Sequence, residues 1–309
     1  MERLRGAAAL LFSVFFGAAL LLFPDVSAAA ARDGLTLCLQ TVLPSLFPFF
    51  VLSSLLVQSD VPRLLSRAMA GVMYPIFGVS GAGASALILG LLGGYPVGAR
   101  TVAELFGRGE IGQEEAEQLL AFCNNSGPGF FLSVCGTAVF GSVRAGAYLY
   151  LIHIGAALVT GVLLRRDLGL PRRKAVPRQR APFDLAAALP AAVQGSFAAV
   201  GSVSAFVIFF MVLLRLLSLV PALAALPPLP HAALFGFVEM TNGVNALPAT
   251  RAGFVLCAAM MNWGGLSVQA QTRALLAGSR LSARRCVIGK VVQALAGVPL
   301  ALLAAPRLF

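Results

Sequence analysis

Two apolar stretches of this chain are each interrupted by a short, polar, glycine-rich segment, and the interruptions occupy matching places in the two halves. The first interruption is Cys123–Gly129 and the second is Asn262–Ser267. Each follows an earlier break in the same half, at Gly93–Gly98 and at Glu239–Asn245. Paired interruptions of hydrophobic segments in two halves are typical of the substrate site of a transporter. Irregular backbone at membrane depth is tolerated where it lines a cavity or is buried in protein, because lipid offers its N–H and C=O groups no partner.

The residues in these four segments have the chemistry of a binding site for a small polar ligand. Amide and hydroxyl side chains donate or accept hydrogen bonds, glycines allow close approach of the backbone, and a half-helix N-terminus favours an anion. We therefore predict that the four segments meet near the bilayer midplane. The predicted binding residues are Asn124, Asn125, Ser126, Gly127, Thr241, Asn242, Asn245, Asn262, Gly264, Gly265, Ser267 and Gln269.

Two charged residues accompany these segments. Because an ionisable group at membrane depth is expensive, it is a functional hypothesis by default. Glu239 is predicted to bind a coupling cation, carry a proton or contact the substrate; the alternative is a structural partner for Arg251 or for a backbone amide. Arg100, just after the first break, is a candidate partner for a substrate carboxylate, and the alternative is a charge that sets topology at the base of a hairpin.

The composition excludes several classes of function. Of the 309 residues, 59% are hydrophobic and 11% are charged, and the mean hydropathy of +0.88 predicts a polytopic membrane protein. The net charge of +11 is concentrated in a few loops, as the positive-inside rule expects, and does not indicate nucleic-acid binding. Nucleotide-binding and hydrolase motifs are absent from the sequence, so no enzyme activity, cofactor or metal ion is predicted. The isolated His153 is interpreted as a packed core residue.

The hydropathy pattern divides the chain into a first transmembrane helix, two repeats and a linker. The first helix also resembles a signal peptide with a cleavage region, and we favour a retained helix because its apolar run is long. The predicted segments are the first helix at 1–34, the first repeat at 35–165 with a hairpin at 80–106 and a broken helix at 118–141, a basic cytoplasmic linker at 166–190, and the second repeat at 191–309 with a hairpin at 231–248 and a broken helix at 252–276.

The order of these segments predicts an all-α fold with inverted repeats. Each half contains a span, a re-entrant helical hairpin, a broken span and a span. A hairpin does not change sides, so each half crosses three times and the second half is inverted relative to the first. The basic clusters near Arg63, Arg165 and Arg280 then fall on one side. This places the N-terminus in the cytoplasm and the C-terminus outside.

At the same segments the chain resembles the YlbJ (SpoVV) family of sporulation integral membrane proteins, which carry the nucleoside recognition or Gate domain. The matching stretches are Gly94–Ala99, Phe122–Pro128, Glu239–Gly243 and Gly264–Gln271, in this order. The similarity covers nearly the whole chain, whereas the acidic segment Glu110–Glu117 has no match. Through this family the chain looks like a reduced relative of the concentrative nucleoside transporters, which have two re-entrant hairpins, two unwound helices and inverted repeats.

The resemblance implies a function that the residues alone leave open. It implies transport of dipicolinic acid (pyridine-2,6-dicarboxylate) across the outer forespore membrane during sporulation, by elevator-type alternating access. The planar dianion would stack on Tyr95, which is therefore a further candidate binding residue. The alternatives are a nucleoside or nucleobase transporter and a membrane scaffold in spore assembly. The sequence leaves open whether transport is coupled to H⁺ or Na⁺ and whether the chain forms a homo-oligomer.

Overall fold

The computed structural model describes residues 2–169 and 183–309 of the chain, and these residues form helices without any β-strand. Residues 170–182 of the predicted basic linker lie outside the described residues. The first half contains α1 (Glu2–Leu22), α2 (Pro24–Leu37), α3 (Leu43–Gln58), α4 (Val61–Phe77), α5 (Gly83–Gly93), α6 (Val97–Gly107), α7 (Gln113–Leu120) and α8 (Val143–Leu163). The second half contains α9 (Leu185–Leu217), α10 (Pro221–Ala224), α11 (Pro228–Val238), α12 (Met240–Asn245), α13 (Arg251–Trp263), α14 (Gly265–Leu276) and α15 (Arg284–Ala304). Shorter helical segments are two π-helices, Cys38–Val42 and Phe130–Val139, and a 3₁₀ turn, Ala305–Arg307.

Three of the described helices are long and apolar enough to cross a membrane, namely α8, α9 and α15 with its 3₁₀ extension. A fourth span results if the pair α1 and α2, bent by 100°, is counted as one broken span. A helix of 21 residues such as α8 is about 30 Å long, which matches the hydrocarbon thickness of a bilayer. The chain is therefore an all-α polytopic membrane protein, as its composition predicts.

The longest helix, α9, packs along a nearly continuous helical run made of α2, the first π-helix and α3. The two runs are antiparallel, because Arg215 near the end of α9 pairs with Asp33 of α2, whereas Phe50 of α3 packs on Val200. This run begins at Pro24 rather than at Leu35, where the sequence predicts the span to start. Proline suits the first turn of a helix and the following alanines favour helix, so the small-residue segment extends the span.

Each half contains two short helices that pack on each other as a hairpin. In the first half, α5 and α6 are joined at Gly94–Pro96, and each helix is about 16 Å long, too short to cross a bilayer. In the second half, α11 packs on α12. The predicted interruption from Glu239 to Asn245 is smaller in the structure, because Met240–Asn245 is helical and only Glu239 lies between the two helices.

The two broken helices differ in the length of their breaks. In the first, α7 ends at Leu120 and the second π-helix begins at Phe130, so the predicted break around Asn124 is a long unwound segment. In the second, only Gly264 separates α13 from α14, and Ser267 lies inside α14. The break is short because Gly264 and Gly265, with φ of 80° and 82°, redirect the chain within two residues, in a conformation that other residues rarely adopt.

Candidate functional site

The structure brings the two hairpin tips and the two helix breaks together. The backbone of Gly94, at the tip of the first hairpin, lies against Gly127 of the first break. Tyr95 of the same tip reaches the second break, where its hydroxyl donates to the Met261 carbonyl at 3.2 Å. The backbone of Gly265 in the second break lies against the tip of the second hairpin at Glu239. All four interrupted segments therefore adjoin one region of the interior.

A cluster of buried polar side chains occupies this region, and we call it the polar cluster: Tyr95, Asn125, His153, Lys290 and Gln293. The Lys290 ammonium donates to the Tyr95 hydroxyl at 3.2 Å, to Asn125 Oδ1 at 3.4 Å and to Gln293 Oε1 at 2.7 Å. Gln293 Nε2 donates to Asn125 Oδ1 at 3.0 Å. The cluster thus joins the first hairpin tip and the first break to α8 and α15.

The hydrogen bonds of the polar cluster fix the orientation of its amides. Gln293 must present its oxygen to the ammonium, so its NH₂ group faces Asn125. Asn125 Oδ1 accepts from both neighbours, and its NH₂ group donates to the Phe122 carbonyl at 2.7 Å. His153 Nε2 accepts from the backbone N–H of Ser126 at 3.1 Å. Each member therefore supports one consistent arrangement, which keeps the first break close to α15.

Lys290 is the only charged side chain of the polar cluster, and its exposed fraction is 0%. It lies six residues into α15, about 9 Å from the start of the helix. The chain reaches this proximity because Gly289 has no side chain and lets α15 contact the backbone of Ala121 beside the first break. Among residues 2–169 and 183–309, no carboxylate forms an ion pair with Lys290, whose partners are neutral oxygens.

Three further buried polar atoms at the breaks, Asn124 Oδ1, Asn262 Oδ1 and Ser267 Oγ, lack a partner in the described part of the chain. Asn124 donates from Nδ2 to Thr272 Oγ1 of α14 at 2.9 Å, but its Oδ1 accepts no hydrogen bond. Ser267 is 1% exposed and its Oγ likewise has no partner. Buried polar groups are nearly always hydrogen-bonded, so these three atoms offer unused hydrogen-bonding capacity at the first and the second break.

The remaining predicted residues of the second break make local contacts. Asn262 donates to the Ala258 carbonyl one turn earlier at 2.8 Å and packs against Gly297 of α15. Gln269 donates to the Trp263 carbonyl at 3.2 Å. Both side chains are buried beside the second break.

At the tip of the second hairpin, Glu239 caps its own helix. Its two carboxylate oxygens accept from the backbone N–H groups of Thr241 and Asn242, at 3.1 and 2.9 Å, and from the Asn242 amide at 2.8 Å. A carboxylate at a helix N-terminus is stabilised by these donors and by the helix dipole. The contacts correspond to the structural alternative, a backbone-amide partner. Asn245, at the far end of α12, is exposed.

Arg100 contacts a different set of residues from the polar cluster. Its Nε lies 2.9 Å from Glu104 Oε1 in an ion pair one turn along α6. Its Nη1 donates to Ser196 of α9 at 3.3 Å, and its guanidinium lies 5.5 Å from the ring centre of Phe50. The positive charge of Arg100 is thus already matched by a carboxylate of the chain.

Lys290 and Gln293 are not among the binding residues predicted from the sequence, and His153 is interpreted there as a core residue. One signal for the first two was present: Lys290 and Gln293 are three residues apart inside the predicted last span, so they share one face of the helix. Because basic residues lie at the start of α15, Lys290 resembles one more charge of the cytoplasmic turn. His153 is indeed buried and hydrogen-bonded, and it also positions the first break.

The helices, the spans and the enclosed polar residues define an all-helical membrane protein with a candidate binding site in its interior. Comparison with known sequences identifies a similar protein. The chain is 28% identical, over 319 aligned residues, to the sporulation integral membrane protein YlbJ of Bacillus subtilis (strain 168), with 91% of this chain and 78% of that protein covered. This match confirms the resemblance to the YlbJ family that the sequence motifs indicate. No family model and no solved structure matches the chain.

Proposed function

We propose that this chain is a secondary transporter of a small planar carboxylate, with dipicolinate as the substrate, in a membrane of the sporulating cell. The convergence of two hairpin tips and two helix breaks on one buried polar region carries this proposal. Transporters bind their substrates at such places because broken helices supply backbone donors and acceptors away from lipid. The similarity to a sporulation membrane protein supports the cellular setting.

The order of the helices supports an elevator-type mechanism with inverted repeats. Each half runs through a long helix or helical run, a hairpin, a broken helix and a span. In the first half these are the run of α2 and α3, then α5–α6, α7 with the second π-helix, and α8; in the second half they are α9, α11–α12, α13–α14 and α15. In this proposal the hairpins and broken helices carry the substrate, while α9 and the run of α2 and α3 provide the scaffold. The N-terminus is cytoplasmic, the C-terminus lies outside, and the membrane is the outer forespore membrane.

The unpartnered atoms at the breaks support a ligand that itself brings polar groups. Asn124 Oδ1 and Ser267 Oγ accept no hydrogen bond in the described part of the chain, although both are buried. The Ser267 hydroxyl can donate directly to a substrate carboxylate, whereas Asn124 Oδ1 is an acceptor and would be satisfied by a water molecule bound together with the substrate. Substrate binding would therefore use groups at both breaks and link the two halves.

Transport by the purified protein tests the proposal. The full chain is reconstituted into liposomes, and uptake of radiolabelled dipicolinate is compared with uptake of uridine and with liposomes that lack protein. We expect saturable dipicolinate uptake that excess unlabelled dipicolinate abolishes. Uridine uptake without dipicolinate uptake would instead indicate a nucleoside transporter, and uptake of neither would favour a scaffold.

Substitutions then locate the transport site. Asn125→Ala removes an acceptor of the polar cluster, and we expect it to abolish dipicolinate uptake. Thr36→Ala is the matched control, because Thr36 is exposed and its hydroxyl only donates to Arg32 in its own helix. Equal uptake by both variants would reject the assignment of the site to the helix breaks.

A further inference from the structure

We infer that Lys290 is the residue that binds the carboxylate of the substrate, so that the site selects anions over neutral ligands of the same shape. This inference rests on the proposed function, because it names the group that recognises the substrate. Three features of Lys290 lead to it: its complete burial, the neutrality of its partners, and the segments from which those partners come.

Burying a cation without a counter-ion costs free energy, so a function that needs the buried charge would explain its presence. Removing an ammonium from water carries a large desolvation penalty, and neutral hydrogen-bond acceptors return only part of it. A lysine near a helix end normally extends its ammonium to the membrane surface. Lys290 does not, because its Nζ is bonded to three oxygens in the interior. An incoming carboxylate would supply the missing charge.

The contacts of Lys290 divide into one short bond and two long bonds. The short one, 2.7 Å, goes to Gln293 on the same helix, whereas the bonds to Tyr95 and Asn125 measure 3.2 and 3.4 Å. Tyr95 and Asn125 belong to the hairpin tip and the first break, which are among the segments that carry the substrate in the proposed mechanism. Lys290 thus remains on Gln293 while a substrate carboxylate replaces the oxygens of Tyr95 and Asn125.

The surroundings of Lys290 also suit a planar aromatic ligand. Its Nζ lies 4.9 Å from the centre of the Tyr95 ring, so an aromatic carboxylate bound to the ammonium would lie within reach of that ring. The ammonium has three donors and no acceptor, so it discriminates between a carboxylate and an amide mainly through charge. The ligand class is therefore a planar aromatic mono- or dicarboxylate.

Calorimetric titration of the purified protein, in buffer free of divalent metal ions, tests this role. The ligands are dipicolinate and its neutral analogue pyridine-2,6-dicarboxamide. The proteins are the wild type, Lys290→Met, and Lys174→Met as a matched control, because Lys174 is the other of the two lysines in the sequence and lies in the basic linker. Lys290→Met should weaken dipicolinate binding on the order of 100-fold, since a close charged partner is lost, while Lys174→Met should not.

Two further measurements exclude a purely structural role for Lys290. The wild type should prefer dipicolinate to the diamide, and Lys290→Met should lose this preference. Without ligand, Lys290→Met should unfold at the same temperature as the wild type or above it, because a buried, unmatched charge has been removed. Loss of binding together with a lower unfolding temperature would overturn the inference in favour of a structural lysine.

The outcomes separate the inference from the function on which it rests. If the wild type binds and transports dipicolinate, and Lys290→Met binds it within about threefold of the wild type, then the inference is overturned and the proposed function stands. If the wild type binds neither dipicolinate nor related carboxylates, then the proposed function itself fails.

Discussion

Arg100 and Lys290 are two cations in the interior of the same helical bundle, and they differ in how their charges are matched. Arg100 forms an ion pair with Glu104 on its own helix, and its side chain is 11% exposed. Lys290 is completely buried and bonded to neutral oxygens only, in the part of the chain that the structure describes. The charge of Arg100 is matched without a ligand, whereas in our inference the charge of Lys290 is matched only when an anion binds.

The comparison shows that the position of a charge along the chain does not reveal its role. Arg100 lies just after a hairpin tip and looks like a substrate residue, yet its charge is matched locally. Lys290 lies near a basic turn and looks like a topology signal, yet its ammonium faces the polar cluster. Whether the partner of a cation is charged or neutral, rather than where the cation lies in the sequence, distinguishes a structural charge from a candidate binding charge.

The largest effect should come from giving Lys290 the partner that Arg100 already has. Gln293→Glu places a carboxylate at the position of an oxygen that now lies 2.7 Å from the ammonium. The new ion pair would compete with the substrate, so dipicolinate affinity should fall about 100-fold while the protein without ligand keeps or gains thermal stability. Titration calorimetry and thermal unfolding measure both quantities.

The control for this change is Gln293→Met, which removes the same hydrogen bonds without adding a charge. It should weaken dipicolinate binding less than Gln293→Glu does. Equal affinities in the two variants would mean that the charge of Lys290 is not what the ligand recognises.

A smaller effect should follow from removing one partner of Lys290 at the hairpin tip. Tyr95→Phe keeps the ring but removes the hydroxyl that contacts Lys290 and the Met261 carbonyl. The loss of such a bond amounts to about 1 kcal/mol, or roughly five- to tenfold in dipicolinate affinity. Tyr150→Phe is the matched control, because its hydroxyl also donates to a backbone carbonyl, that of Leu91, and is not a hydrogen-bond partner of Lys290. Similar affinity losses in both variants would remove Tyr95 from the binding site.

Much of this architecture was predictable from the pattern of apolar segments and breaks. An all-α membrane protein was predicted from composition, because so much apolar surface cannot be hidden in a soluble fold. The unwound segment around Asn124 was also predicted, since Gly127 and Pro128 disfavour the continuation of a helix from the preceding residues. The short length of the second break was not predicted. Gly264 and Gly265 redirect the chain in a left-handed conformation, and the residues on both sides stay helical.

The contacts within the site could not be predicted from the sequence, because they join residues that are far apart in the chain. Lys290 reaches Asn125 because Gly289 allows α15 to approach the backbone of Ala121. The sequence around residue 290 does not indicate which distant segment α15 packs against. The pair formed by Arg100 and Glu104 is local, with the spacing of one helical turn, and could have been anticipated. Side-chain pairs one helical turn apart can therefore be predicted from the sequence, whereas pairs between distant segments are seen only in the folded structure.

Glu239 belongs with Arg100 in this comparison, because its charge is satisfied by its own segment. Three donors from Thr241 and Asn242 occupy its two oxygens. Glu239→Gln keeps an acceptor but loses the charge at the helix N-terminus, so stability should fall by about 1 kcal/mol and transport by less than about threefold. Thermal unfolding and liposome uptake check these values. Abolished transport in a stable Glu239→Gln protein would instead assign its carboxylate to a coupling ion or proton.

The smallest effect should come from removing both members of the Arg100 pair. In the double variant Arg100→Gln and Glu104→Gln, no charge is left unmatched, and a partly exposed ion pair contributes about 0–1 kcal/mol to stability. Dipicolinate uptake should therefore stay within about twofold of the wild type. The single variant Glu104→Gln should be less stable than the double variant, because it leaves the Arg100 guanidinium without its carboxylate. A double variant that folds normally but no longer takes up dipicolinate would reverse the comparison and make Arg100 the cation that recognises the substrate.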